Sequence, residues 1–271
     1  MIGTVEPHKI PMLGFSRKLP ITDEDREWVD EGFKRLEAML GRRRMLEATV
    51  ILPTAEHFPD PYDETPAAAD RLFCRVCTFM RVDRSRIELE IFPDETEELR
   101  KILPSWHATH GKSAAGLYVH PTKEGGVEER NNESRTVVAL KSTLLKDPLA
   151  LVATVAHELG HVILLGGGLM ERDTPDHEPM TDLLTVYLGF GIFTANSAAR
   201  FEQYQEERRA GWSMQRLGYL PEQVYGYALA KFAAERGEVR AEWTKHLSTN
   251  IRVYFKRSQA WLKKNAQQSQ H

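Results

Sequence analysis

The chain predicts an α+β fold: a mixed N-terminal half with a small sheet and helices, then a helical C-terminal half. Three observations carry this. Short β-branched or alternating segments occur only before about residue 145. From Asp147 onward, apolar residues recur at helical spacing. Glycine and proline mark the boundaries, at Gly41, Pro53, Pro66, Pro148 and Gly166 to Gly168. Residues 1–145 and 146–271 read as two parts of one compact unit, a size that suits one large domain or two small ones tightly packed.

The elements follow in order. The first ten or so residues form an irregular arm. Thr22 can cap a helix whose positive end suits Asp23, Glu24 and Asp25; Trp28, Phe33, Leu36 and Leu40 repeat along one face, and Gly41 stops it. Ala48 to Leu52 is β-branched and reads as a buried strand ended by Pro53. A loop covers 53–65, and Thr65-Pro66 opens a second helix with Leu72, Phe73, Val76, Cys77 and Met80 on its apolar face. Arg86 to Phe92 alternates, as a strand with one wet face does. Short strands are expected near Gly116 to His120 and Thr136 to Leu140, with a polar turn from Gly125 to Asn132 between them. The strand at Thr136 to Leu140 is the expected sheet edge. Asp147 caps and Pro148 starts a helix that runs to Leu165. Later helices are expected at 178–208, 221–236 and 240–264.

Composition removes several classes of function. A net charge of −3 gives no reason to expect nucleic acid or an anionic membrane as partner. Residues Met1 to Ile10 lack a basic stretch followed by an apolar run, and no continuous stretch of 18 apolar residues occurs, so neither a secretory signal nor a membrane span is expected. With two cysteines, Cys74 and Cys77, the chain reads as soluble and cytoplasmic. Their CxxC spacing has no second pair to complete a zinc site, and the apolar helix face makes them core residues.

The chemistry lies in His157-Glu-Leu-Gly-His161. Two histidines four apart on a helix project from one face, so both ring nitrogens reach a single zinc ion at about 2.0–2.1 Å. Glu158 is rotated by roughly 100° and flanks that ion, where a carboxylate can act as general base toward an activated water. Val152, Val155, Leu159 and Ile163 fall on the opposite, core side, while Ala150, Ala153 and Thr154 keep the histidine side small. Gly160 costs about 1 kcal/mol of helix propensity, which close approach by another backbone would explain.

Two histidines and a water leave room for a third protein ligand. Glu178 and Asp182, four apart in Asp176-His-Glu-Pro-Met-Thr-Asp182, face the same way. One can bind the metal while the other accepts the free N–H of a ligating histidine. Acids also favour a helix start for electrostatic reasons alone.

The pair His157-Glu-Leu-Gly-His161 and Glu178-Pro-Met-Thr-Asp182 resembles the HExxH…ExxxD pattern of the gluzincin clan of zinc metallopeptidases, over about residues 136 to 190. The continuation to Gly191 is similar to that of uncharacterised bacterial HExxH proteins. The resemblance implies a zincin-like fold, one Zn2+ per chain held by His157, His161 and Glu178, Glu158 as base, and Asp182 orienting His157. Asp182 stays open as the alternative ligand. A peptide or protein is the implied substrate.

Other residues carry weaker signals. Tyr187, Tyr225, Tyr227 and His246 are candidates to donate to an oxyanion, although packing accounts for each of them. His107 and His110, beside Trp106, and His120 read as solvated loop histidines. Lys231, Arg240, Lys245, Arg252, Lys256 and Arg257 read as the wet face of C-terminal helices. Against a general peptidase stand a non-catalytic or single-substrate regulatory zincin-like protein that binds one partner, and an amidase acting on a small molecule.

Overall fold

A computed structural model describes residues 18–92, 116–119, 136–206 and 220–268. Helix α1 spans Asp23–Leu40; the Thr22 hydroxyl accepts from the Asp25 N–H, and Gly41 closes the helix at φ 82°. A short helix, α2, covers Arg42–Leu46. Helix α3, Pro66–Met80, has Thr65 as its cap and buries Leu72, Phe73, Val76, Cys77 and Met80. Burial pushes the Cys77 thiol up to about 12, which keeps it protonated as a core residue.

Among the described residues the sheet has three strands: β1 Ile87–Phe92, β2 Gly116–Val119 and β3 Thr136–Lys141. Their order is β1-β3-β2. β1 runs parallel to β3, with Ile87 opposite Thr136, and β2 runs antiparallel to it, with Gly116 opposite Leu140. Among the described residues the Thr136 strand is therefore central, with β1 and β2 on either side of it, which corrects the expected edge placement. Val138, Ala139 and Leu140 are all buried, so both faces of β3 are covered.

The helical half begins at α4, Pro148–His161, where an Asp147 carboxylate oxygen accepts from the N–H groups of Leu149 and Ala150. Its last turn widens into a π-helical segment, Val162–Gly166. Although it carries histidines and a glutamate, Pro148–Gly166 is long and apolar enough by length and composition to cross a membrane, and 67% of it is buried inside the fold. α5 spans His177–Tyr187, α6 Gly191–Glu206, α7 Glu222–Glu235 and α8 Thr249–Gln268. Residues of α1, α3, β3, α4, α5, α7 and α8 contribute to one continuous hydrophobic core.

Three expected elements differ. Ala48 to Leu52 forms no strand. Ile51 is buried, but its N–H donates to the Gly189 carbonyl, and an Arg236 guanidinium N–H group donates to the carbonyls of Met45, Leu46 and Ala48. The segment is thus held by helices and not by a sheet. The expected helix at 178–208 is two helices, because Gly189 adopts φ 90° and a Cβ there would collide with the Thr49 carbonyl oxygen. The expected helix at 240–264 starts only at Thr249, after a 3-10 turn from Glu242 to His246. Asn196 holds that break by donating to the His246 carbonyl at 2.8 Å and accepting from the Ser248 N–H at 2.8 Å. The N-terminal arm, the Gly125 to Asn132 turn, Trp106, His107, His110 and His120 lie outside the described residues.

Candidate metal centre

The site is built where α4 and α5 face each other. Gly160 permits the contact: a Cβ there would stand 2.7 Å from the Thr181 Cγ2 on α5. The close approach is thus made by a side chain, with the Thr181 carbonyl 3.6 Å away. Pro179 is the third residue of α5, where a missing N–H leaves no helical bond unmade.

From α4, His157 and His161 present rings with centroids 4.8 Å apart and planes nearly perpendicular. From α5, Glu178 brings Oε2 to 3.0 Å from the His157 Nε2 and 3.3 Å from the His161 Nε2. The ligand atoms of these three residues all lie within 4.8 Å of one another. Ligands about 2.0–2.1 Å from a tetrahedral ion stand about 3.3–3.4 Å apart, so the spacing suits a shared metal ion.

The far sides of both rings fix which nitrogen is free. The His157 Nδ1 lies 2.8 Å from an Asp182 carboxylate oxygen, which can only accept, so Nδ1 carries the hydrogen. The Thr181 hydroxyl donates to the His177 carbonyl at 2.8 Å and so accepts from the His161 Nδ1 at 3.3 Å. Each Nε2 therefore turns a lone pair toward Glu178 or holds a proton for it. Burial opposes the charged form of His157, but its hydrogen bonds to Asp182 and Glu178 outweigh that and hold its pKa well above the ordinary range. Burial pushes His161 down to about 4, which leaves it neutral and ready to ligate. A buried group of two imidazoles and a carboxylate of this kind can bind a metal ion.

Asp182 does not face the Nε2 side. It is fully buried, and its second oxygen accepts from the Leu220 N–H at 2.9 Å. Of the two α5 acids, Glu178 is the one in the cluster, and Asp182 supports His157 from behind.

Glu158 is 6% exposed and lies toward β2. A Cβ on Gly116 would come 2.8 Å from its Oε1 and 2.6 Å from the Thr154 Cγ2. The small residues on this side of α4 thus make room for the edge strand, and a glycine in that strand makes room for the carboxylate.

Two of the oxyanion candidates bond elsewhere: the Tyr187 hydroxyl donates to the Gly41 carbonyl, and the Tyr227 hydroxyl to Asp30. Tyr225 is buried on α7, and His246 ends a 3-10 turn. Lys231 is not on a wet face either, since its ammonium is largely buried between Asp30 and Glu235.

His177 and Thr181 are the site residues that sequence reasoning misses. Thr181 sits at i+20 from His161, so nothing local pairs them, although it shares the α5 face expected from ExxxD. His177 stands next to Glu178, and neighbours in sequence point apart on a regular helix. Its place in the first turn, beside an acid and before a proline, is the signal available.

Comparison of the chain with protein-family models, curated proteins and solved structures finds no match.

Proposed function

We propose that the chain is a zincin-like hydrolase and, within that class, a metallopeptidase that holds one Zn2+ through His157, His161 and Glu178. The observation that carries this reading is the convergence of two Nε2 atoms and one carboxylate oxygen, with each Nδ1 engaged from behind. Two imidazoles and a carboxylate suit zinc over hard cations, and three protein ligands leave a fourth position for water. A zinc ion held by these three residues would supply Lewis acidity toward a carbonyl and a water that ionises near neutral pH.

The chain's own residues supply the rest. Asp182 and Thr181 fix the tautomers of His157 and His161. Glu158 takes a proton from water as its oxygen attacks the scissile carbonyl carbon, and returns it to the amine as the C–N bond breaks. Among the described residues β2 is an outer strand of the sheet and Glu158 packs against one of its faces, which supports binding of an extended peptide by strand addition. The mixed sheet with an antiparallel edge strand next to the metal-binding helix supports the zincin-like assignment.

The test is Glu158→Gln. It should retain metal and stability while losing nearly all cleavage of a peptide library, because the base goes and the ligands stay. Cleavage at the wild-type rate by this variant contradicts the mechanism. The alternative reading is a single-substrate regulatory protein. Silence on the library together with selective cleavage of one protein would support that second version.

A further inference from the structure

We infer that the outward face of α8 is a binding surface for the phosphate backbone of a nucleic acid. This surface is independent of the metal centre and uses none of its residues.

The charge of the whole chain hides an asymmetry. Helix α8 carries Arg252, Lys256, Arg257, Lys263 and Lys264 and no acidic residue. The net charge of −3 thus divides into +5 on this helix of 20 residues and −8 on everything else. The whole-chain value, which gives no reason to expect a nucleic acid, does not describe this face.

Helical spacing gathers the five cations. At 100° per residue they fall within roughly 140° of arc, and Arg252 to Lys264 spans about 18 Å. The opposite arc faces the core through Ile251, Phe255 and Ser258. Gly226 on α7 lets the helix sit close, since a Cβ there would stand 2.4 Å from the Tyr254 Cβ. Trp243 packs edge-on against Phe255, with ring centroids 5.4 Å apart. The cations therefore stand on a fixed support, with Lys256, Lys263 and Lys264 exposed.

Other arginines have acidic partners: Arg26, Arg35, Arg42 and Arg75 each meet a carboxylate within 2.9 Å. Among the described residues no carboxylate pairs with any of the five cations on α8, and Arg257 donates instead to the Lys18 carbonyl at 3.1 Å. Intramolecular ion pairing therefore leaves this charge unspent for an outside anion.

The pattern favours a nucleic acid over two other polyanions. Five cations on about 18 Å place one charge every 4 Å or so, close to the one phosphate per about 3.4 Å of axis in each strand of a duplex. Protein partners are held mainly by buried aromatic anchors, and the cationic arc offers only Val253 and Ala260 as apolar groups. The same shortage leaves nothing large to insert into a bilayer, because Phe255 and Trp261 pack against Trp243 and Tyr227.

The test titrates labelled DNA and RNA duplexes of about 20 base pairs with the full chain and reads anisotropy between about 50 and 200 mM KCl. Wild type should bind, and log K should fall with log salt by about 0.9 per engaged cation, a slope near −4. Lys256→Ala/Lys263→Ala removes two exposed charges without touching the core. Its slope should lessen by about 2, and its affinity at about 0.1 M salt should drop about 10–100-fold. Lys34→Ala/Arg43→Ala removes the same charge from exposed positions on α1 and α2 and should leave the slope unchanged. Circular dichroism checks that both variants are folded. Equal losses in the two variants, or no binding to either duplex at about 50 mM salt, overturn the inference. Parallel titrations with phosphatidylserine vesicles and polyglutamate cover the other anions, and binding to one of these without binding to a duplex overturns it in favour of a membrane or an acidic protein.

Discussion

Two polar clusters among the described residues are built on opposite principles. Between α1 and α7, one Asp30 oxygen accepts from the Tyr227 hydroxyl at 2.9 Å and faces the Lys231 ammonium at 3.2 Å, and the other faces Arg26 at 3.3 Å. Lys231 also meets Glu235, which pairs with Arg42 at 2.8 Å. Donors and acceptors alternate, and with Glu37, which faces Arg42 at 3.3 Å, three carboxylates meet three cations. Between α4 and α5, Glu178 and Asp182 face two histidine rings, one of which burial keeps neutral. Two carboxylates and two imidazoles converge there, with a carboxylate oxygen facing both Nε2 atoms. The first cluster is complete as a scaffold joint. The second gathers metal-ligating groups at one buried point, an arrangement found more often at functional sites than a balanced ion-pair network is.

The sharpest way to break this contrast is to remove acceptors one at a time. Asp182→Asn should lower zinc affinity by about 10–100-fold, the usual effect of losing a partner behind a ligating histidine. Glu178→Ala removes the proposed ligand outright and should exceed that range. Competitive zinc titration reads both, and the reverse order would move Asp182 into the ligand position.

A smaller effect is expected at the edge strand. Gly116→Ala places a methyl group against Thr154 and the Glu158 carboxylate. Glu158 can swing, but Thr154 is short and buried, so β2 or the carboxylate must shift. Displacing a reacting group by about 1 Å can cost up to about 100-fold in rate. Zinc affinity should hold, because no ligand moves. A kcat equal to that of wild type would show that Glu158 does not depend on this fit.

The balanced cluster gives the control. Asp30→Asn leaves Lys231 and Arg26 with weaker partners and should lower stability by about 1–2 kcal/mol, read by denaturant unfolding. Zinc affinity should be unchanged. A coupled loss of both would mean that the two clusters are one system.

What was legible in the sequence follows from how far each cause reaches along the chain. The starts of α1, α3 and α4 could be read because Thr22, Thr65 and Asp147 cap their own helices within three residues. His157 and His161 could be read for the same reason, since helical spacing alone brings them together. The pairing of Glu178 with both needed the α4–α5 contact, which Gly160 hinted at and Thr181 explains. Ala48 to Leu52 failed because β-branching reports burial and not the burying partner, here Gly189 and Arg236, far along the chain. Sheet order, which put β3 between β1 and β2, is nonlocal in the same way. Gly116 looked like an ordinary strand start until Glu158, on another element, supplied its reason.

The central claim is that the α4–α5 cluster holds a metal ion. The most direct test is elemental analysis of protein purified without chelators, wild type beside the double variant His157→Ala/His161→Ala, with folding checked by circular dichroism. The account predicts about one zinc per wild-type chain and essentially none in a folded double variant, since α4 keeps its own core face. Equal metal content in the two proteins would contradict it.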